Sequence, residues 1–238
     1  LADHHDLTIS RRRALGLLGA GGAVAWATPT ILSVEAAAAA TCFNPAFLDG
    51  GGGGNFVAVT ANGGTRRTSG SNMDTWQIGA DVGFAPLLFA GGNAGFMAIS
   101  ATGSVAHTVD TATTWTPGSS MPVGFSPSFL QGSDSTFVAV AGSGTVRFTT
   151  DGGATWGAPA TAPFASATTI AFLAGRGTDY VLVTTANLWR YSADRGNTWS
   201  TPVTLPPSTF TPVFVSGGQQ GTVSGFIAVD MSGVTYQA

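Results

Sequence analysis

Short apolar blocks recur along the chain about 40 residues apart: Phe56-Val57-Ala58-Val59, Phe96-Met97-Ala98-Ile99, Phe137-Val138-Ala139-Val140, Tyr180-Val181-Leu182-Val183 and Phe226-Ile227-Ala228-Val229. Each is rich in β-branched and aromatic residues and is bounded by Gly, Asn, Ser or Thr, which are strand signals. The blocks are continuous rather than alternating, so they predict strands covered on both faces. Another apolar segment precedes each block, as in Pro86-Leu87-Leu88-Phe89 and Pro127-Ser128-Phe129-Leu130, with a Gly-containing turn between. A third strand follows a Gly or Asn turn, as in Gly144-Thr145-Val146-Arg147-Phe148. Trp76, Trp115, Trp156 and Trp199, each preceded by Thr and spaced 39, 41 and 43 residues apart, then open a fourth. Four short strands per repeat predict an all-β fold, a β-propeller of about five four-stranded blades.

The segment between third and fourth strands is the most specific. Ser192-Ala193-Asp194-Arg195-Gly196-Asn197-Thr198-Trp199 and Thr149-Thr150-Asp151-Gly152-Gly153-Ala154-Thr155-Trp156 share the pattern Ser/Thr-x-Asp-x-Gly-x-Thr-Trp. Thr108 to Trp115 has Ala112 in place of the Gly, and Ser69 to Trp76 keeps only Ser, Thr and Trp, with Ser71 and Met73 where Asp and Gly belong. Asp can accept backbone N–H bonds within such a turn, Gly supplies a left-handed position, and Trp packs a large ring between strands. The repeated motif resembles the Asp-box, or bacterial neuraminidase repeat, of sialidase-like propellers, and the resemblance spans residues 41–238. It implies turn-stapling roles, away from any catalytic centre, for Asp110, Trp115, Asp151, Gly153, Trp156, Asp194, Gly196 and Trp199. The alternative for the three aspartates is calcium or ligand binding.

The glycine that opens the third strand falls five residues before the motif at Gly64, Gly103 and Gly144, and Gly233 would place a fifth motif at Ala238. Two arrangements are open: the repeat is incomplete at the C-terminus, or residues near Thr41-Cys42-Phe43 supply the missing outer strand. Closure is the favoured expectation, because it removes exposed strand edges.

Residues 1–40 differ in kind from the rest. Ser10-Arg11-Arg12-Arg13-Ala14-Leu15 leads into a Gly-broken apolar stretch that ends in Ala36 to Ala40. A basic region, an apolar region and a small-residue cleavage site make an export signal, and the paired arginines resemble a twin-arginine leader. Residues 1–40 are therefore read as a cleaved signal and 41–238 as the exported domain, in the periplasm, at the cell surface or secreted. No stable membrane insertion is expected after cleavage.

Composition narrows the chemistry. Only 9% of residues are charged, the net charge is −3, all nine basic residues are Arg, and Glu35 is the single Glu. Nucleic acid is not an expected partner, because phosphate binding needs a basic stripe. Cys42 is the one cysteine, so no intramolecular disulfide forms, and neither a cofactor nor a metal is expected. A working sialidase, which the resemblance invites, needs an arginine trio, a Tyr nucleophile and an activating Glu. Residues 41–238 contain no Glu and no Arg-Ile-Pro motif, so no catalytic residue is assigned.

Glycoside hydrolysis by a carboxylate pair would draw on Asp49, Asp81, Asp134, Asp179 or Asp230, which otherwise read as solvated loop carboxylates. His107, in the third-strand position of Phe148 and Tyr191, reads as a packed residue. Two residues before each motif stand Arg67, Ala106, Arg147, Arg190 and Tyr236. Arg67, Arg147 and Arg190 are the candidate ligand-binding residues, forming an arc suited to an acidic sugar or a protein partner. The alternative is that each snorkels from its blade onto a neighbouring carboxylate or carbonyl.

The expected function is a non-catalytic recognition or scaffold propeller that binds a glycan or protein through loops at one end. Two alternatives stand beside it. One is a glycoside hydrolase of the sialidase-like superfamily, and the other is an assembly factor resembling the Asp-box propellers that help build photosystem II.

Overall fold

Five antiparallel sheets follow one another along the chain, each built from consecutive strands. The computed structural model describes residues 43–68, 75–133, 136–164, 168–204, 210–220 and 223–237. The export-signal assignment, Cys42, Asp134, Ala238 and most of the Ser69 to Trp76 motif lie outside them.

The first blade is β1 (Pro45–Gly50), β2 (Phe56–Thr60), β3 (Thr65–Arg67) and β4 (Gln77–Ile78). The second is β5 (Pro86–Gly92), β6 (Gly95–Ser100), β7 (Val105–Thr108) and β8 (Thr116–Pro117). In the third, β9 (Pro127–Ser133), β10 (Thr136–Ala141) and β11 (Val146–Thr149) form the sheet, and a single bridge from Phe148 to Gly157 stands in for a fourth strand. The fourth comprises β12 (Ile170–Arg176), β13 (Asp179–Thr184), β14 (Leu188–Ser192) and β15 (Val203–Thr204). The fifth comprises β16 (Pro212–Gln220), β17 (Val223–Asp230) and β18 (Thr235–Gln237). Among the described residues β18 pairs on one side only, with β17.

The first strands are innermost: β1 meets β5, β5 meets β9, β9 meets β12 and β12 meets β16. Glycine makes this approach possible. Gly50, Gly91, Gly132, Gly175 and Gly217 each lie opposite the aromatic residue that begins the apolar block, namely Phe56, Phe96, Phe137, Tyr180 and Phe226. A Cβ on Gly91 would strike the Gly50 carbonyl and the Phe96 ring, and one on Gly132 would strike the Gly91 carbonyl and the Phe137 ring. Successive blades thus touch backbone to backbone at the axis, while each aromatic ring covers the bare glycine beside it.

The apolar blocks lie one strand out; those of the second, third and fourth blades are buried on both faces, as their unbroken pattern predicts, whereas in the fifth Ile227 is exposed and Val229 half-buried. Val57 and Val59 meet Phe96 and Ala98 of the second blade, and Met97 and Ile99 meet Phe137 and Ala139 of the third. Val138 and Val140 meet Tyr180 and Leu182, and Val181 and Val183 meet Phe226 and Ala228. Burial of each such side chain stabilises by about 1.5–3 kcal/mol.

Pro45, Pro86, Pro127 and Pro212 open four of the first strands, and the pairing register slips by one residue after each. Proline cannot donate to the ladder, so it is confined to strand starts and bulges. A phenylalanine stands two residues before each of these prolines, at Phe43, Phe84, Phe125 and Phe210. Phe43 lies outside any strand, and its ring sits under Arg66 of the first blade. Phe43 pairs with no strand of the fifth sheet, and Thr41 and Cys42, the rest of the segment expected to close it, lie outside the described residues.

Candidate functional site

Each Ser/Thr-x-Asp turn is closed by its own side chains. Asp151 accepts the Thr149 hydroxyl at 2.6 Å and the Thr155 N–H at 2.9 Å, and its second oxygen accepts the Thr155 hydroxyl at 2.6 Å. Asp110 and Asp194 repeat the arrangement with Thr108 and Thr114, and with Ser192 and Thr198. The opening hydroxyl oxygen accepts the N–H of the residue four on, Ala112, Gly153 or Gly196. Those three residues are left-handed, with φ of 58°, 88° and 84°.

Burial raises the carboxyl pKa of Asp110 and Asp151 less than the threonine hydrogen bonds lower it, and both are held at about 2. Asp194 is lowered for the same reasons. The carboxylates are therefore occupied in stapling their turns. The tryptophans differ: Trp199 is buried and donates to the Gly196 carbonyl, Trp115 donates to Ala80 of the preceding blade, and the buried Trp156 Nε1 has no acceptor among the described residues.

Strand register corrects one of the three candidate ligand arginines. The left-handed residue of the turn between second and third strands is Gly63, Gly103, Gly144, Asn187 or Gly233, so the first unit uses Gly63 and not Gly64. Five residues on stand Thr68, Thr108, Thr149 and Ser192, each opposite the aromatic of its block. The first turn therefore opens at Thr68, with one residue more before Trp76 than its counterparts have. Counting back from Trp misplaces it.

Arg66, paired with Ala58, is consequently the counterpart of Ala106, Arg147, Arg190 and Tyr236, whereas Arg67 pairs with Val57 and matches His107, Phe148 and Tyr191. Arg66, Arg147 and Arg190 each lie over a phenylalanine ring, Phe43, Phe125 and Phe164, at 4.9, 5.6 and 5.2 Å. Each also donates to a backbone carbonyl, of Thr65, Val146 and Ser200. Tyr236 keeps the same relation to Phe210. The position is a packing site repeated around the ring.

A polar cavity of about 340 Å³ opens at the end of the axis where first strands turn into second strands. Glycine backbone from the first four blades lines it, together with Asp49, Asn93, Gln131, Ser133 and Arg176. Asp49 Oδ1 accepts the Gly50 N–H and Oδ2 accepts the Gly91 N–H, both at 2.8 Å. Burial raises the Asp49 carboxyl pKa in spite of these bonds. Gln131 donates to the Gly132 carbonyl at 2.9 Å. Among the described residues nothing pairs with Arg176. One cation, one hard-to-ionise carboxyl, amides and bare backbone suit a ligand with its own amides and a carboxylate. Nothing in the turn motif marks this site. The signal that does is the glycine before each apolar block, together with the polar residue beside it at Asp49 and Gln131.

The other candidate carboxylates are dispersed. Asp81 follows the first blade, Asp179 begins β13, and Asp230 sits in a turn where the Ser232 hydroxyl and the N–H groups of Ser232 and Val234 hold its pKa down. His107 packs against the Gly152 turn of the next blade, with Nδ1 buried and unpartnered among the described residues. Among the described residues no three metal-ligating side chains cluster, and no helix is long and apolar enough to cross a membrane.

Five blades joined through their inner strands around a polar axial cavity define a β-propeller. No known family and no curated protein matches the sequence. Solved structures share the fold: YCF48 bound to a D1 peptide has a TM-score of 0.57 at 13% identity, over 80% of this chain and 64% of that one. Human WBSCR16 has a TM-score of 0.58 at 8% identity, over 83% and 62%. The GH74 enzyme of Niastella koreensis has a TM-score of 0.55 at 13% identity, over 80% and 29%. The chain spans less than two thirds of the length of each.

Proposed function

We propose that this chain is an exported, non-catalytic recognition or scaffold propeller of the Asp-box type, and that it holds a polypeptide segment of a partner protein at the axial cavity. The observation that carries this reading is the cavity's chemistry: Arg176, with which nothing pairs among the described residues, the Asp49 carboxyl whose pKa burial raises, and glycine backbone from four blades. Backbone that glycine leaves without side chains lets a peptide approach closely, the Asn93 and Gln131 side chains match its amides, and Arg176 matches a carboxylate. That YCF48 was solved with a peptide bound supports the same class of partner. Arg66, Arg147 and Arg190 are not part of the reading, because each guanidinium already rests on a phenylalanine and a carbonyl.

A peptide array probed with the full chain tests it, each binder being measured again with Arg176→Ala and Asp49→Asn. Binding of carboxylate-bearing peptides that weakens at least tenfold in Arg176→Ala supports the assignment. Peptide binding indifferent to both changes places the site elsewhere. Hydrolysis of a glycan panel, abolished by one Asp→Asn change, would replace this reading with a glycoside hydrolase.

A further inference from the structure

The two charged side chains of the axial cavity are held in different ways. Asp49 is fixed within the first two blades: Oδ1 accepts the Gly50 N–H and Oδ2 the Gly91 N–H. A carboxylate oxygen can accept twice, and among the described residues neither oxygen has a second donor. Arg176, at the end of β12, faces the cleft between the fourth and fifth blades as well as the axis. Asp49 is therefore the charged group that belongs to the axial cavity alone.

The surroundings of Asp49 do little to offset its negative charge. Across the first sheet it pairs with Val57, and Arg67 lies one strand further out, behind that valine. From the second blade it meets the Gly91 backbone. The rest of the wall is glycine backbone with the neutral side chains of Asn93, Gln131 and Ser133, and Arg176 is the one cation among the described lining residues. Burial raises the Asp49 carboxyl pKa, and the two N–H bonds offset that only in part. Burial favours the neutral acid and the backbone donors favour the carboxylate, so a charge placed beside Asp49 moves the balance.

A ligand carboxylate is such a charge. The cavity holds about 340 Å³, and Gly50 and Gly91 interpose no side chain between Asp49 and what enters it. Two carboxylates in one small enclosed site share a proton rather than both ionise. We propose that the axial cavity takes up a proton on the Asp49 carboxyl as it binds a peptide carboxylate, holding the ligand at acid pH and releasing it as pH rises. The proposal rests on the axial reading of the peptide site given above. The proton comes from water or buffer acid and adds to one carboxyl oxygen, with no other bond changed. The neutral acid then donates to the ligand carboxylate in a charge-assisted bond, while the N–H groups of Gly50 and Gly91 keep the side chain in place. Because the complex binds more protons than the free chain, affinity rises as pH falls, as long as the ligand itself stays ionised.

Four peptides serve as probes. Acetyl-Ala-Ala-Ala carries a C-terminal carboxylate and acetyl-Ala-Asp-Ala-amide a side-chain carboxylate, and acetyl-Ala-Ala-Ala-amide and acetyl-Ala-Asn-Ala-amide are their neutral counterparts. Calorimetric titration of the full chain at pH 6, in MES and in bis-Tris, reads the protons taken up per peptide, because the two buffers differ in ionisation enthalpy. Binding of at least one carboxylate peptide is expected, with uptake of up to about one proton and affinity about tenfold weaker at pH 7 than at pH 5. The neutral peptides are expected to bind at least tenfold more weakly and to take up no proton. Asp49→Asn, which has no proton to gain, is expected to bind equally at the two pH values without uptake. If that variant does not fold, the buffer comparison on the native chain decides. Binding of a carboxylate peptide with no proton uptake and equal affinity at pH 5 and pH 7 overturns the proton coupling and leaves the axial reading standing. Uptake that persists in Asp49→Asn overturns it as well, by placing the proton elsewhere. Failure of both carboxylate peptides to bind overturns the axial reading and the coupling together.

Discussion

Asp49 joins two blades through one carboxyl: Oδ1 accepts the N–H of Gly50 and Oδ2 the N–H of Gly91, each at 2.8 Å. The group is buried enough that its pKa lies above the ordinary 3.8, whereas Asp151, stapled by threonine hydroxyls, lies at about 2. A raised folded-state pKa contributes stability that is complete below the unfolded value and is lost as pH rises through the folded one. A depressed pKa contributes stability present above the unfolded value and lost as pH falls toward 2. Asp49→Asn is therefore expected to show its largest deficit against the native chain at acid pH, shrinking toward neutrality. Asp151→Asn is expected to do the reverse, and thermal unfolding across a pH series separates the two trends.

Gly132→Ala should destabilise by about 1–3 kcal/mol, because the new methyl must enter the backbone of Gly91 and the ring of Phe137, neither of which can retreat. Gly142→Ala is the control. Its Cβ meets only the Ser128 hydroxyl, at 3.3 Å, and a change within about 0.5 kcal/mol is expected in urea unfolding. Equal effects at the two positions would contradict inner strands in backbone contact.

Thr111 adopts φ of 56°, a left-handed conformation costly for a β-branched side chain, at the place where the next turn has Gly152. Thr111→Gly is expected to raise stability by about 0.5–1 kcal/mol, the relieved strain exceeding the entropy that glycine returns to the unfolded chain. A drop in the melting temperature would show that the threonine side chain contributes more than its backbone strain removes.

Trp199 and Trp156 occupy equivalent positions with unequal polar contacts, since among the described residues Trp199 Nε1 has an acceptor and Trp156 Nε1 has none. Trp199→Ala is expected to cost about 3–5 kcal/mol, and Trp199→Phe about 1–3 kcal/mol through the lost hydrogen bond and area. Trp156→Phe removes an unsatisfied buried donor and should stay within about 1 kcal/mol of the native chain. Denaturant midpoints at constant m compare them directly.

Much of this architecture was legible as repeat spacing. The unbroken block Phe137 to Val140 predicts a strand covered on both faces, and it lies between two blades with every residue buried. The first turn shows where linear counting fails. One extra residue between Thr68 and Trp76 shifted the apparent register from Arg66 to Arg67, and only pairing with Ala58 and Val57 restores it. The phenylalanine two residues before Pro45, Pro86, Pro127 and Pro212 was present in the sequence as a repeat, but its meaning depends on a partner that lies on the third strand.

By itself the sequence determined the all-β repeat, the five apolar blocks within the given residues, the double burial of the second strands in the second, third and fourth blades, and the chemistry of the Asp turns. All of these follow from local propensity and from contacts within a few residues. Only the tertiary structure decided that the glycines before each block meet at the axis, and that Asp49 and Arg176 share one cavity with residues of other blades. The physical reason is that blades pack through surfaces far apart in sequence, where backbone approach, burial and charge are set by neighbours about 40 residues away.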